Sequence, residues 1–302
     1  MKKKAEFPLF LAISALFLAF LSCRHTAQLV NSPIKTASAA EMDGQYIAGQ
    51  KIAGIAAASI TIEVTPEQEY FIGRAMAAKI LSTYRIWDAN PVFAAYLNKI
   101  CMAIAVNSPG PVLFNGYRVA ILDSCEINSF STPGGHIFLT KGLISAARSE
   151  DALAGAIAHE IAHIRLQHGI NAIKESLSAN PLFISGVIAD IDNRNVLIDA
   201  FSELIDEVVN VLVNNGYSQE LEFSADILAL SLLAGAGYCP SGLLELLKEL
   251  EKIHGDCPEG FDNTHPSPSR RIANIQRFID NYTAADTRLH RQPRFNAMMK
   301  SL

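Results

Sequence analysis

Residues 156–169 read AIAHEIAHIRLQHG, which sets His159, Glu160 and His163 inside an otherwise apolar run. Upstream, Ser149-Glu150-Asp151 offers a helix cap and an acidic first turn, and Gly169 offers a stop, so the pattern predicts one helix between them. In that helix positions 159 and 163 lie on one face, one turn apart. A helix so rich in Ala and Ile must be buried, and burying imidazoles and a carboxylate is costly unless something pairs with them. The rest of the chain therefore has to bring partners to this helix. Two imidazoles at this spacing can chelate one zinc, with Glu160 as general base towards an activated water. The plainer alternative is two hydrogen-bonded core histidines.

A third ligand would decide between the two, and the stretch YSQELEFSADILAL (217–230) offers one. Glu222 and Asp226 are four apart and share a helix face. Glu222 completes a His2Glu set that leaves one position of the zinc open. Asp226 is expected to accept the free ring N–H of His159 and so fix its tautomer. Small residues on both helices, Gly155, Ala156, Ala158 and Ala162 against Ala225 and Ala229, would let them approach closely. His168, five residues past His163, is rotated off the ligand face and is not expected to ligate. His136 is expected at the surface.

The remaining pattern is mainly helical. Thr65-Pro66-Glu67-Gln68 reads as a capping box opening a helix with a stripe through Phe71, Ile72, Ala75, Met76, Ile80 and Leu81. Asn90-Pro91 opens a second. YRVAILD (117–123) reads as a buried strand, and FSTPGGHIFLT (130–140) as a strand pair about a Pro-Gly-Gly turn. Residues 171–216 look helical, and further helices are expected from Ser218, from Ser241 and over 269–281. The fold class expected is α+β, a helical domain with a small sheet in its first half.

The N-terminus, MKKKAEFPLFLAISALFLAFLSC, has a basic end, an apolar run and then Cys23. That is the pattern of a secretory signal over 1–23, with Cys23 as the lipidation site of a lipoprotein. Plain secretion and an uncleaved anchor remain open. Residues 24–62, rich in Ala, Ser, Gly and Thr, read as a tether, 63–285 as the folded domain and 286–302 as a C-terminal tail. Export makes disulfides reasonable. Nearest-neighbour pairing gives Cys101–Cys125 and Cys239–Cys257, other connectivities stay open, and free buried thiols are the alternative. With 25 Lys and Arg against 30 Asp and Glu, the chain shows no dense basic cluster, which argues against nucleic acid as a partner.

HEIAH followed some sixty residues later by YSQELEFSAD resembles the gluzincin metallopeptidases of the CAAX prenyl protease, HtpX, OMA and BepA type. TPEQEYFIGRAMA is similar to that family's opening helix, INSFSTPGGHIFLTKGLI to its strand before the zinc helix, and THPSPSRRI to its His-Pro…Arg-Ile segment. The resemblance implies a zincin-like fold with HExxH on an active-site helix. It implies one Zn2+ held by His159, His163 and Glu222, with Glu160 as catalytic base. It also implies His265 as a reversible occupant of the fourth zinc position and Arg271 as an arginine facing the cleft. Either could support the oxyanion. Asn128 would bind an extended substrate added along the strand edge, although a turn-forming Asn fits the position too. With the chain ending at 302, a member without helical repeats is expected.

The function expected is a zinc endopeptidase of the bacterial envelope, lipid-anchored at the outer membrane and acting on unfolded or misassembled proteins. The alternative is a chaperone-like or scaffolding lipoprotein whose zinc is structural or latched by His265. A zinc hydrolase acting on a non-peptide bond is a third reading.

Overall fold

The computed structural model describes residues 63–107, 113–179, 194–254, 265–282 and 288–302. The leader, the tether, Cys23 and Cys257 lie outside these residues. Helix α1 (Pro66–Thr83) starts at the expected capping box: Thr65 Oγ1 accepts from the Gln68 amide at 3.2 Å and Gln68 Oε1 accepts from the Thr65 amide at 2.9 Å. Helix α2 (Pro91–Val106) is capped by Asn90, whose Oδ1 accepts from the Val92 and Phe93 amides.

Strands β1 (Arg118–Leu122), β2 (Ser129–Thr132) and β3 (His136–Thr140) form a sheet in the order β1-β3-β2. β3 is parallel to β1 and antiparallel to β2, with Phe130 opposite Phe138. Side chains alternate between the faces. Val119, Ile121, Ile137 and Leu139 enter one core, and Leu122, Phe130 and Phe138 enter another. The second core also holds Ile72, Met76 and Ile80 of α1. At the β2–β3 turn Gly134 takes a positive φ of 74°, a conformation that costs glycine nothing. Pro133 O lies so close above Gly73 that a Cβ there would sit 1.7 Å from it, so α1 seats directly under the turn.

Helix α3 (Lys141–Ala146) leads to α4 (Glu150–Arg165), capped by Ser149 as expected. Every residue of α4 from Glu150 to Ile164 is buried, because β2, α2, α7 (Gln219–Gly235) and α8 (Ser241–His254) all pack on it. Gly155 serves α8 rather than α7: a Cβ there would lie 2.9 Å from Leu243 Cα. Between α4 and α7 run α5 (His168–Ala179) and α6 (Arg194–Asn214), and α6 packs on α1 and α5. After α8 come α9 (Pro268–Ile279) and α10 (Arg288–Met299). Among the described residues no helix is long and apolar enough to cross a membrane.

Three expectations are corrected here. Gly169 does not stop the helix. α4 ends at Arg165, Gln167 takes φ 57°, and Gly169 lies in the next helix, where a side chain would press on Pro133 and the Tyr217 hydroxyl. Residues 288–299 are a helix rather than a tail. Phe295 enters the main core, Arg291 forks onto Asp151 (Nη2–Oδ1 2.7 Å) and Arg294 pairs with Glu150, so α10 grips the first turn of α4. Cys101 and Cys125 are not bonded: Cys101 is buried on α2 among core residues and Cys125 is exposed in the loop after β1. Cys239 is also a free thiol.

Candidate metal centre

The packing of α4 against α7 brings His159, His163 and Glu222 together. His159 Nε2 lies 3.0 Å from His163 Nε2, His159 Nε2 is 3.4 Å from Glu222 Oε2, and His163 Nε2 is 3.3 Å from Glu222 Oε1. A tetrahedral zinc with ligands at about 2.0–2.1 Å has edges of about 3.3–3.4 Å, so these atoms sit where three of its corners would be. Glu222 is wholly buried, and its Oε1 has no hydrogen-bond partner, which is costly unless a cation takes up the lone pairs. The donor set therefore fits zinc. His265, just ahead of α9, brings Nδ1 to 2.9 Å from Glu222 Oε2, and the atoms of His159, Glu222 and His265 also converge closely enough to share an ion. His265 thus lies beside His159 and Glu222, within reach of an ion shared with them.

Charge points the same way. Glu160, Glu222 and Asp226 are three buried carboxylates, and Arg271 is the buried guanidinium among them. Burial pushes the Glu222 carboxyl up, but His265, His159 and His163 outweigh it and hold it well below the usual carboxylate range. Burial and Arg271 oppose protonation of His159, yet Asp226 and Glu222 prevail and raise its pKa to about 9. Without a metal, a proton on His159 supplies part of the missing positive charge.

Asp226 stands where the i, i+4 spacing put it, with Oδ1 3.0 Å from His159 Nδ1. Arg271 departs from its expectation. It is 3% exposed and forked onto Asp226 (Nε–Oδ2 2.9 Å, Nη2–Oδ1 2.6 Å), with Nη2 3.2 Å from His159 Nδ1. A buried guanidinium needs carboxylates: Asp226 takes the fork, Nη1 lies 3.6 Å from Glu222 Oε2, and Arg271 does not line the cleft. Asn128 is 2% exposed, and its Oδ1 accepts from the Ser129 amide at the start of β2.

Glu160 lies on the cleft side. Its Oε1 accepts a 2.6 Å hydrogen bond from Ser129 Oγ on β2, an edge strand of the sheet. The cleft runs past Glu160, His163 and His265, and its apolar walls come from Met76, Ile80, Phe130, Val209, Leu212 and Val213. Sequence reasoning missed three neighbours. The Tyr217 ring stacks on His163 at 4.3 Å, His168 Nδ1 lies 2.9 Å from His163 Nδ1, and Ser129 holds Glu160. A tyrosine beside the carboxylate motif and a third histidine after HExxH were visible signals. The serine becomes legible only once the strand is placed against α4. His136 is half-buried rather than at the surface, stacked on Tyr70.

A mainly helical domain with a three-stranded sheet and a buried HExxH–Glu site is a zincin-like metallopeptidase domain. The sequence model of peptidase family M48 matches residues 94–279, and the chain belongs to that family. The peptidases of this family depend on zinc.

Among its relatives, the mitochondrial metalloendopeptidase OMA1 of Schizosaccharomyces pombe is 27% identical over 158 residues, covering 50% of this chain and 43% of its own. The beta-barrel assembly-enhancing protease of Escherichia coli is 22% identical over 193 residues, 62% of this chain and 39% of its own. Metalloprotease LoiP of Escherichia coli is 24% identical over 192 residues, 63% and 72%. The chain thus spans less than half the length of the first two.

Proposed function

We propose that this protein is a zinc-dependent endopeptidase of the bacterial envelope, cutting extended segments of unfolded or misassembled proteins. The observation that carries the reading is the triangle of His159 Nε2, His163 Nε2 and Glu222 Oε1/Oε2 at tetrahedral-edge distances beside Glu160. Bound there, zinc supplies Lewis acidity and makes water ionisable at a pH of about 7. His159, His163 and Glu222 are its holders, and Asp226 fixes His159 through its ring N–H. With Oε1 engaged by Ser129, Glu160 takes the water proton on Oε2 and returns it to the leaving amine. The outer edge of β2 is the rail on which an extended chain adds as a further strand, setting its carbonyls beside Glu160.

The envelope setting rests on the secretory pattern of residues 1–23, with lipid at Cys23 as the membrane link, and on the names of the Escherichia coli relatives. The domain runs from 63 through α10, because Arg291, Arg294 and Phe295 belong to its core and clamp. A second reading, a latched scaffold, draws on the 2.9 Å contact of His265 with Glu222.

The test uses the zinc-loaded full chain and an unfolded protein. Glu160→Gln should keep its zinc and lose about 10²–10⁴-fold in cleavage rate. Equal cleavage by both chains would sink the mechanism. No cleavage by wild type, with cleavage appearing in His265→Ala, would establish the latch. Client binding without cleavage in either chain would establish the scaffold.

A further inference from the structure

We infer that His168 is a positioning residue for the metal, holding the His163 ring in the tautomer that turns the Nε2 lone pair to the ion. The inference rests on the zinc-site reading above and concerns a histidine that lies outside the ligand set. α4 ends at Arg165, and Gln167 adopts φ 57°, a left-handed conformation uncommon for a side chain larger than glycine. That turn folds the chain back, and His168, the first residue of α5, returns its ring to His163. His168 is 6% exposed, with its Nδ1 2.9 Å from His163 Nδ1.

The direction of the hydrogen bonds follows from the far end of the chain of contacts. Ser224 Oγ donates its one hydrogen to the Leu221 carbonyl at 2.7 Å. Towards His168 Nε2, 3.4 Å away, Ser224 can then only accept, so Nε2 carries the His168 hydrogen. His168 Nδ1 is left with a lone pair, and the 2.9 Å contact makes His163 Nδ1 the donor. The His163 lone pair is thereby on Nε2, which faces His159 and Glu222. Tyr217, stacked on His163 at 4.3 Å and 19°, holds the ring plane. One ligand, His159, is backed by the Asp226–Arg271 ion pair. The other is backed by a neutral relay that ends on the carbonyl of Leu221, next to the ligand Glu222.

The measurement is zinc affinity of the full chain in competition with a chromophoric chelator, alongside the thermal midpoint of the metal-free chain. His168→Ala should bind zinc about 10–100-fold more weakly. His168→Asn, whose amide oxygen can accept from His163, should recover part of the loss. Wild-type affinity in a folded His168→Ala chain overturns the inference and leaves the metal site standing. A lowered metal-free midpoint with unchanged affinity assigns His168 a structural role only and overturns it too.

If His168→Ala does not fold, nitrogen-15 spectra of the imidazoles in zinc-loaded wild type decide. Hydrogens on His163 Nδ1 and His168 Nε2 support the relay, and a hydrogen on His168 Nδ1 overturns it. A wild-type chain that takes up no zinc overturns the parent reading and this one together.

Discussion

At the residue scale, the parts of the site that were legible are those carried by helical spacing. Glu222 and Asp226 sit one turn apart, and any helix places them on one face, so their meeting with His159 followed once α7 crossed α4. What was not legible depended on the direction of a side chain within the packed fold. Arg271 was given the cleft but is drawn back by Asp226, and His168 was dismissed because an unbroken helix would rotate it away. Ser129 offers a test of the active-site wall. Removing a hydrogen bond to a charged group costs about 1.5–3 kcal/mol when the group stays buried. Ser129→Ala should therefore lower kcat about tenfold with zinc content and KM near wild type, measured on a peptide substrate. His136 should tie stability to pH. Burial, and then the charges of Arg74 and Arg118, lower its pKa from the ordinary 6.5. The ring is neutral in both states above 6.5. As the pH falls below that value the unfolded chain binds the proton first, and stability is lost down to the folded-state pKa. Urea midpoints of the metal-free chain should drop more between pH 7.5 and 5.5 in wild type than in His136→Phe.

At the element scale, helix starts were the most readable features. Thr65, Asn90, Ser149 and Ser218 all cap where side-chain chemistry predicted. Helix ends were less so: α4 stops on a left-handed Gln167, while Gly169, the obvious stop, is reserved for the close approach of Pro133. α10 escaped sequence reading because its apolar content is low and ion pairs hold it as well as Phe295. Asp151 is wholly buried and held by Arg291 and the Cys239 amide. Arg291→Ala leaves that carboxylate short of its counter-ion, a loss of about 3–5 kcal/mol when one partner of a buried pair is removed. Chemical unfolding should show it, and a change below about 1 kcal/mol would mean that α10 is not a clamp.

At the scale of the whole molecule, the class α+β and the order of elements were legible from periodicity and turn residues. The two-core arrangement about the sheet was not, because Leu122, Phe130 and Phe138 look like their neighbours until the register is known. A zinc ion held by His159, His163 and Glu222 would tie the large core together through α4 and α7. Removing it leaves three carboxylates facing one guanidinium, so chelation should lower the thermal midpoint, and added zinc should raise it with the logarithm of its free concentration. A midpoint indifferent to chelator would show that the helices hold the site without the ion.

Contacts of the site span long stretches of chain: Arg271 meets His159 112 residues away, and Arg291 meets Asp151 across 140. Synthesis proceeds from the N-terminus, so HEIAH leaves the ribosome well before Glu222, Asp226 and Arg271 exist to complete it. A half-made chain therefore has Glu160 and two histidines but no assembled centre. The order of the sequence itself delays assembly of the centre until most of the chain has been made.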